Sequence, residues 1–150
     1  MRAALTLLLL AVACSDGPEI TPPEHDRTVN GDWSGSAGPM TVRYSLNEAD
    51  GTIAGRLEFV VVNQVEGSGS VRGSRVGQRI ELRADDADFV ELVLDAPMAG
   101  SATFGGTQLG DRIAGEFAFQ GAGTDPESGR AFAVEIRPGP LPLTLVRVRR

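Results

Sequence analysis

Beyond Gly31 the chain alternates apolar and polar residues one for one, the period of a half-buried β-strand. Met40, Val42, Tyr44 and Leu46 alternate with Thr41, Arg43, Ser45 and Asn47. Glu48-Ala49-Asp50-Gly51 then supplies a turn in which glycine accepts a positive φ. Ile53, Gly55, Leu57, Phe59 and Val61 return on the inner face, with Arg56 and Glu58 outward. From Glu66 to Gly77 glycine and serine dominate around Val71, as in a strand bent at a barrel corner. Ile80 and Leu82 resume the alternation, and Asp85-Asp86-Ala87-Asp88 reads as an exposed acidic hairpin tip leading into Phe89 to Leu94. Gly100 to Phe104 and Ile113 to Phe119 form the next pair, joined through Gly105-Gly106 and Gly110-Asp111. A polar loop, Gly121 to Arg130, leads to Phe132, Val134 and Ile136. Pro138, Pro140 and Pro142 are expected to interrupt any strand, and Leu143 to Val148 closes the chain.

About eight to ten short strands with regular turn signals, and no helical periodicity after the leader, predict an all-β fold. The expected architecture is an antiparallel up-and-down barrel of about eight strands, with a β-sandwich as the alternative. One stretch organises this pattern. Asp50-Gly51-Thr52-Ile53-Ala54-Gly55 returns as Gly110-Asp111-Arg112-Ile113-Ala114-Gly115, and in part as Gly77-Gln78-Arg79-Ile80-Glu81-Leu82. No helix follows any copy, so a phosphate-cradling loop lacks its context. The copies read as turn and bend devices, with Gly55 and Gly115 leaving room on a crowded inner face.

The N-terminus changes the picture of where such a domain works. Met1-Arg2 is a short positive segment, and Ala3 to Ala13 is an apolar run of signal-peptide length, too short to span a bilayer as a mature helix. Leu10-Ala11-Val12-Ala13-Cys14 resembles the lipobox of bacterial lipoproteins, which implies cleavage before Cys14 and its lipidation. Ala11-Val12-Ala13 also suits ordinary signal cleavage at the same bond, leaving a secreted or periplasmic protein as the alternative. Ser15, not aspartate, follows the cysteine, and by the same resemblance favours the outer membrane. Ser15 to Asn30 carries Pro18, Pro22 and Pro23 among polar and acidic residues, the composition of a tether. The chain thus divides into a signal peptide at 1–13, a lipidated cysteine and tether at 14–30, and a β-barrel domain at 31–150.

Composition narrows the chemistry. A formal net charge of -6 argues against nucleic acid. The 14 basic residues are all arginine. A single cysteine excludes an internal disulfide and multi-cysteine metal sites. His25, the one histidine, lies in the tether between Glu24 and Asp26, where a solvated linker residue is the simpler reading. With no histidine, lysine or second cysteine in the domain, the familiar nucleophile–base pairs cannot be assembled, and the expectation is a non-enzyme without cofactor or metal. Glu58 and Glu116 occupy nearby places in two repeat copies and are the pair from which a carboxylate hydrolase could be drawn; alternation places Glu58 on the polar face. Asp85, Asp86 and Asp88 are close enough for a calcium site but lack the spacing of an EF-hand loop.

Gly31-Asp32-Trp33 at the first strand resembles the Gly-x-Trp motif of the calycin superfamily, the barrels that include lipocalins and avidins. The continuation Gly38-Pro39-Met40-Thr41-Val42, then Gly51 and Gly55, is similar to the first avidin hairpin. The resemblance implies that Trp33 packs across a closed barrel end near an arginine from the last strand, Arg147 or Arg149. It also implies a barrel able to hold a small apolar ligand, lined by Trp33, Tyr44, Phe59, Phe104, Phe117 and Phe132. The tryptophans of an avidin biotin site are missing, since Trp33 stands alone. Eight-stranded barrels are equally filled by their own side chains. The expected partners are therefore a membrane, through the N-terminal lipid, and either a small apolar ligand or an envelope protein.

Overall fold

The computed structural model describes residues 28–93, 95–135 and 139–149. The expected signal peptide, Cys14, His25 and most of the expected tether lie outside the described residues, as does Ile136. Among the described residues nine strands run in chain order: β1 (Gly31–Ala37), β2 (Met40–Ala49), β3 (Thr52–Val61), β4 (Val65–Val76), β5 (Arg79–Glu91), β6 (Ala96–Leu109), β7 (Arg112–Thr124), β8 (Ala131–Glu135) and β9 (Leu141–Arg147). They form one antiparallel sheet, not the two facing sheets of a sandwich. β1 to β7 are an up-and-down meander, β8 and β9 both pair with β7, and β9 also pairs with β1. The sheet therefore closes into a barrel-like ring through eight strands, with β8 lying outside the circuit.

The inward residues are those the alternation marked. Met40, Val42, Tyr44 and Leu46 of β2 are buried, as are Ile53, Leu57 and Phe59 of β3, while Arg56 and Glu58 face solvent. Three hairpins gather at one end of the ring, and each carries a copy of the repeat. Asp50 and Gly51 both take positive φ (50° and 76°), as a type I′ turn demands. Gly77 and Gly110 come first in their turns with φ 61°, the place a type II′ turn reserves for glycine. In all three copies the isoleucine that follows, Ile53, Ile80 or Ile113, is buried. The repeat thus builds one layer of the core.

Several expectations about individual strands are corrected. The acidic run is not a hairpin tip: β5 passes straight through it, with a register shift between Ala84 and Ala87. Both alanines point inward across that irregularity, so the bulge absorbs the extra residue that broke the alternation. Gly105-Gly106 is likewise internal to β6 and Gly121 to β7, and six strands have ten residues or more. Pro142 sits inside β9, exposed and opposite Glu116 of β7. It is tolerated because the β1 pairing of β9 covers only Trp33↔Arg147 and Ser34↔Val146, so no ladder needs its missing N–H. The glycine-rich stretch is a strand, as expected: the 12-residue β4, with a register shift between Ser68 and Arg72.

Candidate functional site

Two regions of the domain bear on function: the interior of the ring, and the end where the chain enters it. Along β2, β3, β6 and β7 the period-2 alternation aims one aromatic after another inward. Phe59 contacts Phe89 and Phe119 at 4.9 Å between ring centroids and Phe117 at 5.8 Å, and Phe89 meets Phe119 at 4.7 Å. These are the spacings of packed edge-to-face and tilted aromatic pairs. Tyr44 lies 6.0 Å from Phe104 nearer the hairpin end. Burial pushes the Tyr44 phenol well above its ordinary value, so it stays protonated and cannot act as a base.

Of the candidate lining residues, Trp33, Tyr44, Phe59, Phe104 and Phe117 are buried in one core, and Phe132 packs against it half-buried from β8. Phe89 and Phe119 belong to the same cluster but were not among the candidates. Phe119 shares the parity of Phe117, which is the signal that finds it. Phe89 follows the β5 bulge, and reading the aspartates as a turn hides its face.

The entry end is built by a strap of three residues. Val29 is fully buried although composition assigns it to the tether. Its N–H donates to Glu48 Oε2 (2.9 Å), and its C=O accepts from Trp33 Nε1 (2.7 Å). Asn30 Oδ1 accepts the Glu48 N–H (2.5 Å), and Glu48 Oε1 takes the guanidinium of Arg75 (2.7 Å). Arg147 lies over the Trp33 ring, Cζ 4.4 Å from its centroid. Its guanidinium donates to the C=O groups of Thr28 (2.8 Å) and Asn30 and to Asp111 Oδ1 (3.1 Å). Arg149 joins from outside through Asp111 Oδ2 (3.1 Å). Sequence patterning missed this strap because one valine in a polar stretch carries no period. Nearby, Gln108 is fully buried; its Nε2 donates to the Gly110 C=O (3.2 Å), and its Oε1 has no partner.

The two carboxylates of the hydrolase reading are not brought together. Glu58 on β3 and Glu116 on β7 both point outward, and their strands lie four apart either way around the ring. Of the acidic run, Asp85 pairs with Arg83 on its own strand. Among the described residues no group of three or more His, Cys, Asp or Glu is placed to hold a metal ion.

No protein-family model, curated protein or solved structure matches this chain. Among the described residues no helix is long and apolar enough to cross a membrane.

Proposed function

We propose that this protein is a membrane-anchored envelope lipoprotein whose β-domain is non-catalytic and acts through its outer surface and loops. The observation that carries this reading is the interior. A barrel that encloses an apolar ligand needs free space in its interior, and in the buried core here the rings of Phe59, Phe89 and Phe119 stand within 4.9 Å of one another. Anchoring is supported by the sequence alone: the leader, Cys14 and the proline-bearing tether that follows. Several acyl chains on one cysteine, at about 0.8 kcal/mol per buried methylene, give durable attachment. The calycin resemblance gains support from Arg147, an arginine of the last strand that covers Trp33 at the plugged end.

The anchor is tested by metabolic labelling with a fatty-acid analogue. The wild type should be tagged and Cys14→Ser not; equal labelling of the two removes the lipoprotein reading. Surface action is tested separately by titrating the purified domain with a fluorescent fatty acid. No saturable binding is expected. Stoichiometric binding lost on Phe59→Trp would instead establish the enclosed-ligand reading.

A further inference from the structure

Every strand of the ring has neighbours on both sides, but β8 pairs only with Gln120–Thr124 of β7, and the described residues place no strand along its other edge. The direction of its backbone groups follows from the ladder. The Asp125 N–H donates to the Arg130 C=O (2.9 Å), making 125 and 130 a hydrogen-bonded position at the foot of the β7–β8 pairing. Alternation then turns the N–H and C=O of Phe132 and Val134 toward β7 and those of Ala131 and Ala133 toward the open edge. The strand contains no proline, and its pairing with β7 runs without a register shift, so its edge-facing groups stay in regular order. Its exposed face carries the small side chains of Ala131 and Ala133 beside Glu135, so a neighbouring strand can approach closely at the two alanines.

We propose that this edge pairs with the same edge of a second copy of the chain, β8 against β8, antiparallel about a two-fold axis through Ala133. The register suits a self-partner. Ala133 faces itself and Phe132 faces Val134, both half-buried on the inner face. Glu135 falls opposite Ala131, so the two carboxylates do not confront each other. The chain's own tether is a poor occupant, since Pro18, Pro22 and Pro23 lack the donors a ladder needs, and it enters at the strap end through Thr28. Five residues make an interface well below the about 1,200–2,000 Å² of a stable complex, so the dimer is weak in solution.

The test uses the full chain carrying Cys14→Ser, with a single new cysteine. Facing residues in a hydrogen-bonded pair stand about 5.5 Å apart, within disulfide reach. Mild oxidation should therefore cross-link Ala133→Cys at least about tenfold faster than Val76→Cys, another exposed site, at the far end of β4. Equal rates overturn the proposal. Ala133→Pro removes only an edge-facing donor and should keep the thermal midpoint while abolishing self-association in concentrated sedimentation runs. Phe132→Pro, whose N–H serves β7, should lower the midpoint. Self-association that survives Ala133→Pro, or an Ala133→Cys adduct formed only with another protein, rules out the second copy as the occupant.

Discussion

Arg147 performs three tasks at one end of the ring. It covers the Trp33 face, binds two strap carbonyls and pairs with Asp111, with about a fifth of its side chain exposed. Arg147 shares the inward face of Leu143 and Leu145 and is the last residue of β9, whereas Arg149 has the same parity but lies beyond the end of the strand. Because several of these contacts are shielded, the side chain contributes more than a surface ion pair would. Arg147→Ala is expected to lower stability by about 2 kcal/mol, read as a shift in urea midpoint at constant slope. Arg147→Lys keeps the charge but not the planar fork, and should recover less than about half of that loss. Full rescue by lysine would show that charge alone matters. Glu48 is the complementary anchor, holding Val29 and Arg75 through its two oxygens.

At the scale of single elements, the glycines do the shaping that alternation cannot reveal. A Cβ on Gly115 would lie 2.1 Å from the Gly105 carbonyl oxygen and 2.6 Å from the Gly106 Cα; at Gly55 it would lie 2.1 Å from the Ser45 oxygen. Those neighbours are backbone and cannot rotate aside, so β7 and β3 approach their partners only because these positions lack a side chain. Gly115→Val should therefore cost about 3 kcal/mol, the upper range for overpacking, measured as a fall in denaturant midpoint. A variant as stable as the wild type would remove the close-approach role. The turn after β7 is held differently. Asp125 accepts hydrogen bonds from the Ser128 hydroxyl and the Glu127 N–H, and these hold its carboxyl below the usual range. Its folded value being depressed, the turn has this support at neutral pH and loses it in acid as the carboxyl protonates.

For the whole molecule, closure is the decisive feature. β9 has seven residues, yet it joins β7 to β1 and supplies Leu143, Leu145 and Arg147 to the core and strap. Truncation after Gly139 would open the ring, exposing the edges of β1 and β7 and uncovering Trp33. The expected result is loss of a cooperative urea transition, with aggregation through the freed edges. A truncated chain that still unfolds in one sharp transition would show that the remaining strands close without β9.

The sequence by itself determined the all-β class, the antiparallel meander and most of the inward set, because a period of two assigns each side chain to a face before any partner is known. It also marked the three glycine turns. Tertiary structure alone decided the rest. The β5 and β4 bulges resume the alternation only once a neighbouring strand fixes the register, and the small core of Phe59, Phe89 and Phe119 meets only when distant strands curl together. Val29 is buried because Glu48 and Trp33 bond its backbone while Arg147 holds the residues on either side of it; nothing in its local neighbours distinguishes it from a linker residue. Local pattern sets which face a residue shows, whereas closure sets what that face meets.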